Sequence, residues 1–185
     1  MEASSIGALK TPQALAVGTS LRILAAPGVL VLLLDHDWTL AAALFLLAAA
    51  TDYVDGRLAR HWKVTTKLGA FLDTTADKLL VATTLLGLLA VARVSPWVAF
   101  VIIGREYLIL GLRAAIASGS SPLETSRLGK WKATLQFVAI SLAILRPDVV
   151  FAGAYLDQWL MVAVAVITAA SALDYLHRYW SALRA

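Results

Sequence analysis

Four aspartates stand close together in an otherwise apolar part of the chain, the segment TDYVDGRLARHWKVTTKLGAFLDTTADK at residues 51–78. Asp52 and Asp55 are three residues apart, and Asp73 and Asp77 are four apart, so each pair lies on one face of a predicted helix. A charged aspartate at the centre of a membrane helix costs about 2.5–3.5 kcal/mol. Four such carboxylates therefore require a neutralising cation in the space that they share.

The residue types predict a site for hard divalent cations. Lys78 and Arg60 are too few to neutralise four carboxylates, the chain has no cysteine, and no histidine stands among the predicted ligands. Oxygen ligands of this kind suit Mg²⁺ first, with Mn²⁺ and Ca²⁺ as alternatives. Four carboxylates are enough for two bridged ions, an arrangement that promotes phosphoryl displacement. A cation path through a transporter, or aspartates at helix ends outside the membrane, are the alternatives that the residues leave open.

Small residues and one arginine accompany the carboxylates. Gly56 directly follows Asp55 inside a predicted helix, where glycine costs close to 1 kcal/mol relative to alanine. Either a ligand close to the backbone or close packing between helices explains Gly56, and the same two explanations hold for Gly69. Arg60 is suited to bind a diphosphate by forked hydrogen bonds or to anchor the helix at the membrane surface.

Six apolar segments must position these residues, at 18–35, 38–60, 68–92, 95–117, 128–146 and 153–178. Hydrophobic residues make up 60% of the 185 residues and charged residues 15%, and the mean hydropathy is +0.77, which excludes an ordinary soluble domain. Most segments are close to the roughly 20 residues that cross a membrane core. The predicted fold class is an all-α integral membrane protein, with a six-helix domain at residues 18–185 after a short interfacial segment at residues 1–17.

The distribution of basic residues predicts the orientation. The second-to-third connection, the fourth-to-fifth connection and the C-terminal tail carry Arg57, Arg60, Lys63, Lys67, Arg113, Arg127, Lys130, Lys132, Arg178 and Arg184. The opposite side carries Arg93 and Arg146. Because basic residues favour the cytoplasmic side, both termini and the aspartates are predicted to lie there, in the cell membrane.

The spacing Asp52-x2-Asp55-Gly56-x2-Ala59-Arg60-x8-Gly69-x3-Asp73-x3-Asp77 resembles the signature of the CDP-alcohol phosphotransferase family. The segments TSLRILAAPGVLVLLL, GREYLILGLR and LGKWKATLQ extend the resemblance over nearly the whole chain. Within the family, the chain is most similar to the bacterial phosphatidylglycerophosphate synthases. The resemblance implies a membrane enzyme of six helices, commonly a homodimer, that transfers a phosphatidyl group from CDP-diacylglycerol to an alcohol and releases CMP.

The same resemblance implies roles for individual residues. All four aspartates would hold two divalent metals, and Asp77 would also serve as the base for the acceptor hydroxyl. The residues expected to bind the CDP-lipid are Thr19, Asp55, Gly56, Ala59, Arg60 and Gly69.

Charged residues in the fourth and fifth segments predict an acceptor pocket. Arg105 lies near mid-span, where an arginine needs an acidic partner, an anion or a wet cavity, and its neighbour Glu106 points about 100° away around the helix. We expect glycerol 3-phosphate to be that anion, bound by Arg105, Arg113, Lys130 and Lys132. An ion pair of Arg105 with one of the aspartates, and binding of lipid head groups by the lysines, are the alternatives. Other acceptors for the same chemistry are phosphatidylglycerol and inositol phosphate.

Overall fold

In the computed structural model, the described part of the chain forms six α-helices and one two-stranded β-hairpin. The backbone is described for residues 3–62, 67–117 and 127–183, and the side chains for residues 18–51, 69, 71–113 and 133–177. The elements are α1 (Ala3–Leu34), α2 (Trp38–Trp62), α3 (Lys67–Ala90), α4 (Pro96–Ala117), α5 (Arg127–Leu145), β1 (Val150–Phe151), β2 (Ala154–Tyr155) and α6 (Leu156–Leu183). The prediction of an all-α fold with six helices is confirmed.

Helix α1 is longer than the first apolar segment, because it begins at Ala3 and runs without a break to Leu34. Residues 3–17, predicted to form a separate interfacial segment, are thus helical and continuous with the apolar part. Hydropathy identifies residues that favour a membrane, whereas helix propensity extends a helix through polar residues as well. The location of this segment at a membrane surface stays a prediction.

The chain divides into two compact units, Met1–Gly87 and Leu88–Ala185. In the first unit, α1 buries one face formed by Ala25, Ala26, Val29 and Leu33, which recur at helical spacing. Glycine permits close approach at two points. A Cβ atom on Gly28 would lie 3.0 Å from Cδ2 of Leu44 in α2, and one on Gly87 of α3 would lie 2.7 Å from Cδ1 of Leu33. Small residues thus let helix backbones pack closely.

In the second unit, α4 and α5 both pack against α6. The buried positions again recur every three or four residues: Val98, Ile102 and Ile109 in α4, Ala139, Ile140, Ala143 and Ile144 in α5, and Met161, Val164 and Thr168 in α6. The hairpin before α6 pairs Val150 with Tyr155 and Phe151 with Ala154, and its turn residues Ala152 and Gly153 both have positive φ, 49° and 81°. This turn geometry is typical of two-residue hairpins.

A polar cluster connects the loops of the second unit. Arg146, which follows α5 with a φ of 43°, donates from Nε to Oδ2 of Asp157 at 3.3 Å and from Nη2 to the carbonyl of Arg93 at 2.8 Å. Arg93 in turn donates to the carbonyls of Ala143 and Ile144 at the end of α5. Burial first, and then the nearby charge of Arg146, lower the pKa of Arg93 from its ordinary value. The cluster fixes where α5 ends and α6 begins.

Among the described residues, the stretch Leu156–His177 of α6 is the one that is both long and apolar enough to cross a membrane. Gly18–Leu34, Trp38–Thr51 and Ala133–Leu145 are shorter apolar helical stretches. The six helices are therefore confirmed as helices, and their passage through a membrane stays a prediction.

Candidate active site

Helix α3 presents the second pair of aspartates. Asp73 and Asp77 are one turn apart, so they lie on the same side of the helix, and both side chains are half-buried. Ala76, three residues after Asp73 on the same side of the helix, is fully buried, so this side of α3 faces the core. Gly69 lies one turn before Asp73 and is also half-buried.

The first pair of aspartates belongs to α2, in the same unit as α3. The helix is continuous through Asp52 and Asp55, whose separation of three residues places them on one face. Gly56, Ala59 and Arg60 follow within the last turns of the same helix. The side chains of these five residues lie outside the described part, so the meeting of the two pairs stays a prediction.

A buried arginine of α1 contacts Asp73. The Arg22 side chain is fully buried, and its Nη2 lies 2.8 Å from Oδ1 of Asp73, whose own side chain is 44% exposed. Nη1 of Arg22 also donates to the backbone carbonyl of Asp73 at 3.4 Å. Thr19, one turn earlier in α1, is buried as well. Both of these contacts therefore fall on Asp73, which was predicted to be the third metal ligand along the chain.

The described carboxylates fit the predicted cation. Asp73 and Asp77 offer oxygen ligands one turn apart, and the Asp73 side chain is partly exposed although it contacts Arg22. Among the described side chains, no group of three histidine, cysteine or acidic residues comes together. The described side chains include only two of the four predicted ligands, Asp73 and Asp77. The donor set on α3 is thus consistent with Mg²⁺ or Mn²⁺ as one half of a four-carboxylate site.

Polar side chains of α4 and α6 meet in the second unit. Nη1 of Arg105 lies 3.2 Å from Oε1 of Glu106, and Nη2 donates to Oγ of Ser171 at 3.0 Å. Both charged side chains are largely buried, at 15% and 12% exposed. Glu106 points about 100° away from Arg105 around the helix and was therefore not the obvious partner, yet the long arginine side chain bends back to it.

The other predicted acceptor residues are located on α4 and α5. Arg113, two turns beyond Arg105, lies with its guanidinium carbon 6.0 Å from the ring centre of Tyr175 in α6, at cation–π distance. Lys130 and Lys132 belong to the first turns of α5, and their side chains lie outside the described part. Arg105 and Arg113 thus both contact α6, one turn apart at Ser171 and Tyr175.

Comparison with known proteins identifies the family. The sequence profile of the CDP-alcohol phosphatidyltransferases matches residues 11–170, which is most of the chain and contains both aspartate pairs. The chain belongs to the CDP-alcohol phosphatidyltransferase family. Enzymes of this family are membrane-bound and synthesise phospholipids with the aid of a divalent metal.

Several curated relatives in the family are named CDP-diacylglycerol–glycerol-3-phosphate 3-phosphatidyltransferase. The protein of Cereibacter sphaeroides is 43% identical over 135 residues, which cover 69% of this chain and 61% of that protein. The Bacillus subtilis protein is 37% identical over 145 residues, covering 77% of this chain and 75% of the relative. The Escherichia coli protein is 40% identical over 155 residues, which cover 80% of this chain and 84% of the relative. The chain thus spans less than two thirds of the first of these relatives.

Three contacts in the structure were not predicted from the sequence. Arg22, Ser171 and Tyr175 each contact a predicted site residue, yet none belongs to the signature. Arg22 had a detectable signal, because an arginine inside an apolar segment needs a partner. Ser171 and Tyr175 had none, since a serine and a tyrosine are ordinary in an apolar helix.

Proposed function

We propose that this member of the family transfers the phosphatidyl group of CDP-diacylglycerol to glycerol 3-phosphate, giving phosphatidylglycerophosphate and CMP. The observation that carries the proposal is the complete aspartate signature in a chain that is 37–43% identical to relatives named for this reaction. Arg105 and Arg113 add support. Their two guanidinium groups both lie beside α6, and two positively charged side chains in one region suit an acceptor that bears a phosphate.

The metal ligands in this proposal are Asp52, Asp55, Asp73 and Asp77. Two divalent ions, Mg²⁺ first and Mn²⁺ second, suit four carboxylates, and the same-face spacing of each pair supports shared ligation. When bound, such ions polarise phosphoryl oxygens and offset the negative charge of the leaving nucleotide.

The CDP-lipid is bound by residues of α1, α2 and the start of α3. We assign this role to Thr19, Asp55, Gly56, Ala59, Arg60 and Gly69. The guanidinium of Arg60 holds the diphosphate by forked hydrogen bonds, and the small residues leave room for the nucleotide near the backbone. The half-buried state of Gly69 supports a place beside the carboxylates of α3.

The acceptor phosphate is bound by Arg105, Arg113, Lys130 and Lys132. The contacts of Arg105 with Glu106 and Ser171 hold its guanidinium in one orientation, which reduces the entropy lost when an anion binds. Arg113 and the two lysines add positive charge that attracts glycerol 3-phosphate and other phosphate-bearing alcohols.

Asp77 acts as the general base in the transfer. Its carboxylate takes the proton from the 1-hydroxyl of glycerol 3-phosphate, and the resulting oxygen attacks the phosphorus that carries the diacylglycerol. The new phosphorus–oxygen bond forms as the bond to the CMP oxygen breaks, so CMP leaves with the electron pair. The half-buried position of Asp77 supports a carboxylate that is partly shielded from water yet accessible to the acceptor.

The enzyme crosses the cell membrane several times, with both termini and the active site on the cytoplasmic side, and forms a homodimer. Largely exposed apolar side chains on the helices support contact with lipid: Leu24, Leu47, Phe100, Val166 and Leu173. The bias of basic residues towards one set of connections supports the orientation.

The experiment that tests the acceptor uses purified protein, radiolabelled CDP-diacylglycerol, Mg²⁺ and separate acceptors. Glycerol 3-phosphate, phosphatidylglycerol, inositol phosphate and serine are each supplied, and the lipid product is identified by its mass. We expect phosphatidylglycerophosphate with glycerol 3-phosphate. If product forms only with another acceptor, the reaction class stands and glycerol 3-phosphate is the wrong substrate. If folded protein is inactive with every acceptor, the proposed transferase activity is wrong.

A further inference from the structure

We propose that Arg22 is a positioning residue for the metal site, acting through Asp73. The inference rests on the proposed function, because it takes Asp73 as a metal ligand. Arg22 lies in α1, 51 residues before Asp73 and outside the aspartate signature. Its role is to hold one carboxylate oxygen and the backbone of Asp73, so that the carboxylate keeps one orientation towards a cation.

Burial of Arg22 makes its contacts costly to break. The side chain is fully excluded from solvent, and removing one partner of a buried ion pair leaves the other charge without compensation. The 2.8 Å distance between Nη2 and Oδ1 of Asp73 is that of a close ion pair, and Nη1 adds a hydrogen bond to the backbone carbonyl of the same residue. Arg22 and Asp73 therefore hold α1 and α3 in a fixed relation at this point.

The second contact extends the effect of Arg22 to the next ligand. Nη1 donates to the backbone carbonyl of Asp73, and in an α-helix that carbonyl also accepts the amide of the residue four positions later, which is Asp77. The guanidinium thus contacts the helical turn that carries both carboxylates of α3. A displacement of Arg22 would move Asp73 directly and Asp77 through this turn.

The difference in exposure between the two side chains favours positioning over substrate contact. Arg22 is fully buried, so it is not accessible to a nucleotide or to glycerol 3-phosphate, whereas Asp73 is 44% exposed. Oδ1 of the carboxylate contacts the arginine, and the Asp73 side chain as a whole is still exposed enough to bind a cation. Residues that orient metal ligands in this way typically change metal affinity 10- to 100-fold when they are replaced.

A positioning role and a simple counter-ion role predict opposite signs for metal affinity. If Arg22 only neutralises Asp73, its removal frees the carboxylate and tightens the binding of a divalent cation. If Arg22 orients Asp73, its removal lets the carboxylate rotate and weakens that binding. A purely structural role predicts a lower thermal stability with unchanged metal affinity in the protein that remains folded.

The test is a titration of Mn²⁺ into the substrate-free, detergent-purified protein, followed by electron paramagnetic resonance of the free ion. We expect Arg22→Gln to raise the Mn²⁺ dissociation constant about 10- to 100-fold. Arg22→Lys keeps the charge but lacks the fork, so we expect a smaller rise. Arg146→Gln is the matched control, because it breaks a similar ion pair in the second unit and should leave Mn²⁺ affinity unchanged.

A double-variant measurement shows whether the effect passes through Asp73. In an Asp73→Asn background, Arg22→Gln should cause no further loss of Mn²⁺ affinity, and an equal further loss would contradict the assigned route. Unchanged or tighter Mn²⁺ binding by both Arg22 variants would overturn the proposal. If Arg22→Gln does not fold, Arg22→Lys alone decides by the same criterion. If Mn²⁺ binding follows these expectations but the protein has no transferase activity, the positioning role of Arg22 stands and the proposed function is wrong.

Discussion

Nη2 of Arg105 in α4 donates a hydrogen bond to Oγ of Ser171 in α6, over 3.0 Å, while Nη1 lies 3.2 Å from the carboxylate of Glu106. Two helices of the second unit are therefore joined through one guanidinium. An arginine that is held on two sides presents its remaining surface in a defined direction. This preorganisation makes Ser171 part of the proposed acceptor site although it need not touch the acceptor.

Replacing Ser171 by alanine should weaken acceptor binding. The lost hydrogen bond lets Arg105 move, and a typical hydrogen bond of about 0.5–1.5 kcal/mol corresponds to an increase of about two- to tenfold in the apparent KM for glycerol 3-phosphate. The KM for CDP-diacylglycerol should stay the same. Steady-state kinetics with each substrate varied in turn provide the measurement.

Ser141→Ala is the matched control for that change. The hydroxyl of Ser141 bonds to the carbonyl of Phe137 within its own helix, so its removal breaks a hydrogen bond of similar length without releasing an arginine. Both KM values should be unchanged in this variant. An equal rise in the two serine variants would show that the effect of Ser171 is not specific to Arg105.

Asp77→Asn should abolish transfer and weaken, without eliminating, the binding of metal and CDP-lipid. The amide keeps the size of the side chain and one ligand oxygen, but it cannot take a proton from the acceptor hydroxyl. Single-turnover measurement of CMP formation, beside Mn²⁺ binding to the same sample, separates chemistry from binding. Turnover at the wild-type rate would exclude Asp77 as the base.

Removal of divalent metal should eliminate activity reversibly. Without the ions, the four carboxylates repel the diphosphate, and the single positive charge of Arg60 does not offset this repulsion, so chelation should stop CMP release. Addition of Mg²⁺ or Mn²⁺ in excess of the chelator should restore it, while Zn²⁺ should restore less because the ligands are all oxygens. Full activity after exhaustive chelation would contradict the proposed metal dependence.

Asp157→Ala should destabilise the second unit. Asp157 is fully buried and pairs with Arg146, and loss of one partner of a buried pair costs about 3–5 kcal/mol. The paired change Arg146→Met with Asp157→Leu removes both charges together and should cost less than Asp157→Ala alone. Denaturant titration in mixed micelles measures the free energy of unfolding of each variant. An equal decrease in the single and the double variant would show that the cost of Asp157→Ala does not come from leaving Arg146 unpaired.

The sequence predicted the helices well because apolar segments bounded by charges leave few alternatives. The predicted segments 38–60 and 95–117 correspond closely to α2 (Trp38–Trp62) and α4 (Pro96–Ala117). Helix α1 begins at Ala3, fifteen residues before the first apolar segment at 18–35, because hydropathy identifies residues that favour a membrane and does not locate the end of a helix. The hairpin before α6 was not foreseen, because two-residue strands produce no alternating pattern.

The candidate site was predictable in its ligands and not in their partners. Spacing alone places Asp73 and Asp77 on one face, which α3 confirms. The contact of Asp73 with Arg22 joins residues 51 positions apart, and no local pattern encodes such a pair. Arg105 and Glu106 show a different limit of sequence reasoning. Helical geometry points the two adjacent side chains about 100° apart, whereas the flexible arginine side chain brings the two charges together.

The most direct test of the central claim is CMP release by detergent-purified protein that is supplied with CDP-diacylglycerol and Mg²⁺, with and without glycerol 3-phosphate. We predict release that requires glycerol 3-phosphate, rises to saturation with its concentration and is absent in Asp77→Asn. Release at the same rate without any acceptor, or no release by folded protein in the presence of every acceptor, would contradict the account.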